Sequence, residues 1–318
     1  MTISLEDARE FAIETRDLSK RYGGRLAVAG LTMNVARGEV FGFLGPNGAG
    51  KTTAVKMLLG LVHRTGGDAA ILGRPLGTIE ARRHIGYLPE LFRYQDWLTA
   101  REILHWHASI VGVPRTKQHT QVDGILERIG LAGRADDRVG VYSKGMQQRL
   151  GIGVALVGDP QLIFLDEPTS ALDPVGRADI RDLIAGLKAQ GTTVFLNSHL
   201  LTEVESVCDR VAVIDRGKII AIGDLSELLG RFALRITFER MSESLIAALR
   251  RDHAILEGSS GLFYGVDDAR IPDLIASLVA AGARITRVEP MRLSLEERFL
   301  ELLRTENERT FDRVAGPS

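Results

Sequence analysis

One run of nine residues, Gly45-Pro46-Asn47-Gly48-Ala49-Gly50-Lys51-Thr52-Thr53, constrains this chain more than any other stretch. Gly45 and Gly50 bracket four residues and lead straight into Lys51 and Thr52, the G-x-x-x-x-G-K-[ST] spacing of a loop that curls round phosphate. Such a loop needs glycine where a Cβ would clash, so that successive backbone N–H groups can point inward. Lys51 brings a point charge to the β- and γ-phosphates, and the Thr52 hydroxyl offers a hard oxygen to Mg²⁺. The flanks agree with this: Val40 to Leu44 reads as a buried parallel strand, and Thr53 to Leu59 as a helix opening at the loop, with the anion on its N-terminus. The implied ligand is a nucleoside triphosphate.

A length of 318 residues suggests about two domains, each with its own core. Forty basic against 41 acidic side chains leave a formal charge of −1, so no global field favours nucleic acid. The single cysteine, Cys208, forms no internal disulfide and fits a reducing cytoplasm. The segment Met1 to Asp7 has no secretory-signal pattern, and no window offers the ~18 apolar residues of a membrane span. Work at a membrane would need another chain to do the spanning.

Residues 11 to 44 alternate turns with apolar stretches and read as strands leading into the loop. Gly66-Gly67-Asp68 reads as a turn before a strand over Ala69 to Leu72. Ile85 to Glu90 is a strand closed by Pro89. Helical periodicity over Thr99 to Val111 and Gln121 to Ile129, with Ile103, Leu104, Ile110 and Val111 on one side, marks a helical insertion. Strands return at Leu162 to Leu165, Thr193 to Leu196 and Val211 to Ile214, and the alternation predicts a mostly parallel sheet flanked by helices. From about Phe232 the order becomes strand, helix, two strands, helix (Ile271 to Ala281), strand and final helix, a small βαββαβ unit. Ser294 and Glu297 form a capping box for the last helix, and the polar tail from Thr305 reads as disordered.

A phosphate loop alone leaves GTPases, kinases, recombinases and transport ATPases open. Further stretches narrow the choice. Leu162 to Glu167 is a buried strand ending in two carboxylates: Asp166 suits an Mg²⁺ shell, and Glu167 suits a general base for water attacking the γ-phosphate. Ser143-Lys144-Gly145 with Gln147 and Gln148 lies upstream, with Ser143 placed to cap a helix whose N–H groups form an anion site. Ser170-Ala171-Leu172-Asp173 follows the carboxylate strand, and Asn197-Ser198-His199 ends the next one. In this order the motifs resemble those of ABC transporter ATP-binding subunits over about residues 10 to 225. Tyr142 and Lys144 depart from the Leu-Ser-Gly-Gly-Gln form of the family's signature.

The resemblance implies an α/β fold, a P-loop NTPase domain over 10–225 with a helical subdomain at about 91–158, followed by the accessory βαββαβ domain over 232–304 and the tail over 305–318. It implies ATP on Gly45 to Thr53, with Tyr22 stacked on adenine. Mg²⁺ would sit at Thr52 and Asp166, with Glu90 standing where most of the family has a glutamine. Glu167 and a neutral His199 would act on the γ-phosphate. Ser143, Lys144, Gly145 and Gln147 would complete the site of a second copy, beside the D-loop Asp173. The partners implied are a homodimer mate and an integral-membrane permease, met at the cytoplasmic face and touching the cluster Leu91, Phe92, Tyr94 and Trp97. The Tyr-Leu-Pro-Glu form, Tyr-Ser-Lys-Gly-Met and the C-terminal extension resemble the type-2 exporter subfamily, which serves drug, antibiotic, sodium or polysaccharide export, or copper-centre maturation. The alternative, a DNA-repair, chromosome or translation-associated ATPase of the same superfamily, would call for a coiled-coil insertion, basic patches or a second phosphate loop. His105 and His107 do not share a helix face and read as structural.

Overall fold

The computed structural model describes residues 10–299, apart from position 171 and short stretches within 230–269 and 292–296. It divides into two compact units at Gly223/Asp224. In the first unit, β1 (Phe11–Tyr22) and β2 (Arg25–Ala36) form an antiparallel hairpin, joined by β4 (Gly66–Ile71) and β5 (Arg74–Pro75) in the order β2-β1-β4-β5. The second sheet contains β3 (Val40–Leu44), β6 (Ile85–Leu88), β7 (Leu162–Asp166), β8 (Thr193–Asn197), β9 (Arg210–Asp215) and β10 (Lys218–Asp224). Its order is β10-β9-β3-β8-β7-β6, and the pairings among β9, β3, β8, β7 and β6 are parallel. β10 follows β9 after two residues, which only an antiparallel hairpin can bridge.

Every residue of β3, β7 and β8 is buried, as their unbroken apolar runs require of strands covered on both faces. Phe41, Phe43 and Phe164 all pack on Phe195, with ring centroids 5.1 to 5.7 Å apart. Helices α1 (Lys51–Leu58), α2 (Ile79–Arg82), α3 (Ala100–Ile110), α4 (Arg115–Arg128), α5 (Lys144–Leu156), α6 (Pro174–Ala189) and α7 (Leu201–Val207) complete the unit. α3, α4 and α5 pack on one another, and Thr99 with Glu102 forms a capping box at the start of α3. Because β3, β7 and β8 run in parallel register, Phe43 and Asp166 both pair with Asn197, and the carboxyl ends of three strands come together. That edge is where an open α/β sheet binds its ligand.

Three local expectations need correction. Gly66-Gly67-Asp68 is strand, part of β4, because Gly67 lies against β1: a Cβ there would come 2.2 Å from the Asp17 carbonyl oxygen. α4 starts at Arg115, ahead of the expected Gln121, in a polar run with no apolar periodicity to betray it. Ile110 and Val111 are exposed, whereas Ile103 and Leu104 are buried.

The second unit holds α8 (Leu225–Leu228), β11 (Ala233–Phe238), β12 (Ile255–Glu257), β13 (Ser260–Tyr264), α9 (Ile271–Ala280) and β14 (Ile285–Met291). The sheet order β12-β13-β11-β14 is antiparallel, and Leu234, Ile236 and Phe238 line its core with Phe263 and Leu278. The helix expected near 242–251 and the final helix with its Ser294 cap fall largely outside the described residues, as does the tail.

Candidate functional site

The phosphate loop joins β3 to α1 by a path that excludes side chains. At Gly45 a Cβ would lie 2.3 Å from the Ile214 carbonyl oxygen; at Gly50, where φ is +110°, it would lie 2.5 Å from that of Ala27. Gly217, between β9 and β10, pins the loop to the hairpin: its N–H donates to Ala49 O and its carbonyl accepts from Ala29 N–H, both at 2.7 Å. Lys51 is buried, and its Nζ donates to Gly45 O at 2.6 Å and Pro46 O at 3.4 Å. Burial pulls its pKa below the ordinary lysine value, opposed by the charges of Glu167, Asp166 and Glu90. The Nζ is thus held by loop carbonyls, with three carboxylate charges favouring its ammonium form against burial.

A cleft of about 630 Å³ opens over this loop. Pro46, Asn47, Gly48, Gly50, Lys51, Thr52 and Thr53 line one side; Tyr22, Arg25, Leu26, Ala27 and Arg216 line the other. Tyr22 is half exposed, with Lys20 Nζ 4.9 Å from its ring centroid. Arg25 and Arg216 were not anticipated. Arg25 sits in the same hairpin turn as Tyr22, a signal within reach, whereas Arg216 arrives from a strand end remote in sequence.

Asp166 ends β7 and Glu167 follows it, both buried. Asp166 Oδ1 accepts from Asn197 Nδ2, and burial raises its pKa against that hydrogen bond and against Lys51. Glu167 adopts φ +53°, a left-handed conformation unusual for a side chain with a Cβ, and its N–H donates to Asn197 O at 2.8 Å. That turn aims its carboxylate at His199, whose Nδ1 lies 2.6 Å from Oε2. Burial pushes the Glu167 carboxyl up, opposed by His199 and Lys51. The roles of the two ring nitrogens follow the tautomer: where Nδ1 donates to the carboxylate, a neutral ring leaves Nε2 an acceptor.

Glu90 is exposed just beyond β6, and its charge acts on Lys51, Asp166 and Tyr87, whose hydroxyl burial pushes up to about 12. Among the described residues no group of three His, Cys, Asp or Glu side chains could hold a metal. Thr52, Asp166 and Glu90 are hard oxygen donors, and Mg²⁺ takes one or two carboxylates plus substrate phosphates and water. The donor set fits Mg²⁺ arriving with a triphosphate.

Ser143 caps α5, its Oγ accepting from Met146 N–H at 3.2 Å, while Gln147 Nε2 donates to Tyr142 O. Tyr142 is buried with its hydroxyl on Arg134 O, so the departure from leucine places an aromatic in the core and leaves Ser143 and Lys144 exposed. Gly145 follows in the first turn of α5. Asp173 caps α6 by accepting from Gly176 N–H at 2.8 Å. Leu91 and Trp97 are exposed, whereas Phe92 and Tyr94 pack together at 5.4 Å. His105 packs on His119, and His107 on Trp106 and Tyr94.

Residues 28–170 match the ABC transporter family. An uncharacterised ABC transporter ATP-binding protein of Synechocystis is 37% identical over 302 residues, covering 92% of this chain and 84% of that protein. Nod factor export ATP-binding protein I of a Rhizobium species is 35% identical over 306 residues, covering 94% and 99%. The solved structure of an ATP-binding subunit of an ABC transporter is 30% identical with a TM-score of 0.62, covering 68% of this chain and 91% of that one. The motifs, the strand-end geometry and these likenesses lead to one conclusion: the chain belongs to the ATP-binding proteins of ABC transporters, which bind and hydrolyse ATP to drive transport.

Proposed function

We propose that this chain dimerises head to tail on MgATP and drives a separate type-2 permease in export, from the cytoplasmic face of the membrane. The observation that carries the catalytic reading is the Glu167–His199 contact at 2.6 Å, set at adjacent strand ends with Lys51 close enough to feel the Glu167 charge. Lys51 and the loop N–H groups hold the β- and γ-phosphates, and Tyr22 stacks on adenine. Thr52 and Asp166, with Glu90 beside them, would hold Mg²⁺, which when bound offsets the charge of the phosphates. Glu167 takes a proton from the attacking water, and His199 orients that carboxylate. Ser143, Lys144, Gly145 and Gln147 are offered to the triphosphate of a second copy, with Asp173 nearby; the exposure of Ser143 and Lys144 supports this. Residues 10–225 form the ATPase domain, with a helical subdomain at about 91–158, and residues 232–304 an accessory domain. Among the described residues no helix is long and apolar enough to cross a membrane, which supports a separate permease. Export is supported by the full-length likeness to the Nod factor export protein.

Mixing two inactive variants tests the head-to-tail site. In a dimer of Lys51→Ala with Ser143→Arg, one composite site carries both defects and the other carries none. Random mixing makes about half the dimers heterodimers, each with one of two sites intact, so about a quarter of wild-type turnover should return. No recovery on mixing would sink the shared-site reading. Co-purification from membranes with one hydrophobic partner tests the permease.

A further inference from the structure

Asp166 ends β7 almost wholly enclosed, where an unpartnered carboxylate would have no fixed orientation. Its partner, Asn197, is 3% exposed and ends the adjacent strand. The two are matched in the parallel register of β7 and β8, so their side chains leave the sheet together. Chemistry fixes which way the amide points: an ionised carboxylate only accepts, so Nδ2 faces Asp166 Oδ1 and the amide oxygen faces away. That oxygen, Asn197 Oδ1, is buried with no hydrogen-bond partner among the described residues. That oxygen is closed to solvent, so the amide's contribution to the site lies in its Nδ2, which holds Asp166. The main chain of the same residue has a separate task, since Asn197 O accepts from the N–H of Glu167.

We propose that Asn197 is the positioning residue of the metal shell: its Nδ2 fixes the orientation of the Asp166 carboxylate. This rests on the reading of Asp166 as an Mg²⁺ ligand. The main-chain bond to Glu167 survives any substitution of the Asn197 side chain, so the metal and the base can be perturbed separately.

The test is an Mg²⁺ titration of trinitrophenyl-ATP binding and of ATP hydrolysis in wild type, Asn197→Leu, Asn197→Ala and Asp166→Asn. Asn197→Leu keeps the branch at Cγ and removes both polar atoms, with two bulkier methyl groups in their place. Its half-saturating Mg²⁺ should rise about 10- to 100-fold, the range for lost outer-shell partners. Affinity measured in EDTA should stay within about twofold, and kcat at saturating Mg²⁺ within about threefold, because Glu167 remains held. Asn197→Ala should shift the same way, and it decides the matter if the leucine variant does not melt cooperatively. Half-saturation at the wild-type Mg²⁺ concentration, or a fall in kcat with half-saturation unmoved, overturns the assignment. Asp166→Asn separates the two ideas. If it keeps the full Mg²⁺ enhancement of binding, the reading of Asp166 fails; if it loses that enhancement while the Asn197 variants keep it, only the role of Asn197 fails.

Discussion

Glu167→Gln removes one charge and leaves the surroundings almost untouched. Glutamine has the same volume, keeps the main-chain N–H on Asn197 O, and can still accept from His199 Nδ1 through its amide oxygen. What disappears is the capacity to take a proton from water. A positioned general base contributes about 10²- to 10⁴-fold. At 1.36 kcal/mol per tenfold, that is about 2.7–5.4 kcal/mol of barrier. Phosphate release at saturating MgATP should therefore fall at least about 100-fold, while nucleotide affinity, read by fluorescence, stays near wild type and the ATP-bound dimer accumulates on gel filtration. The same variant has a stability signature. Burial holds the Glu167 carboxyl above its ordinary range, so its favourable contribution is complete below about pH 4.5 and is lost as pH rises through the folded value. The nucleotide-free glutamine variant should gain melting temperature over wild type, and gain more at pH 8 than at pH 5. Hydrolysis within tenfold of wild type would refute the assignment of the base; a melting advantage that shrinks with rising pH would refute the electrostatic argument.

Gly50→Ala puts a methyl group 2.5 Å from the Ala27 carbonyl oxygen at φ +110°, so the loop must shift, and MgATP affinity should drop at least about tenfold by fluorescence titration. Gly42→Ala sets a Cβ 2.8 Å from both Val204 Cγ1 and Val211 Cγ1; overpacking of this kind costs about 1–3 kcal/mol, visible as a melting point lower by ~2–4 °C per kcal/mol. Tyr22→Ala should weaken ATP binding by the ~1–3 kcal/mol of a base–aromatic stack, whereas Tyr22→Phe should hold it within about twofold. Burial raises the Cys208 thiol, so the stability of the neutral thiol is complete below the unfolded value near 8.5 and is lost above it. Between pH 9 and 10.5 wild type should lose about 2 kcal/mol more in urea unfolding than Cys208→Ala, at about 1.36 kcal/mol per pH unit; parallel curves would count against it.

The parallel sheet was legible because its strands are buried on both faces and so carry unbroken apolar runs, as in Leu162 to Leu165. The antiparallel sheet was less legible. β4 opens with Gly66 and Gly67, which read as a turn in any local view; only the close approach of β1 shows why glycine stands in a strand there. α4 hid for the opposite reason, since its first six residues offer no apolar stripe. At the site, Lys51 and Glu167 were found because their chemistry is tied to short spacings. Asn197 was passed over as a neighbour of His199, because its importance lies in a cross-strand register that no linear pattern contains.

The two hydrogen bonds of Gly217 make the cleft a caliper with a fixed gap. One jaw is the hairpin carrying Tyr22, the other is the phosphate loop, and the rivet between them is a single glycine whose N–H and carbonyl face opposite ways. A nucleotide laid across such a caliper meets a spacing set in advance, so little ordering of these two jaws accompanies binding. Whatever moves during the ATP cycle must then move against this assembly as a block, which puts the travel on the other walls of the site.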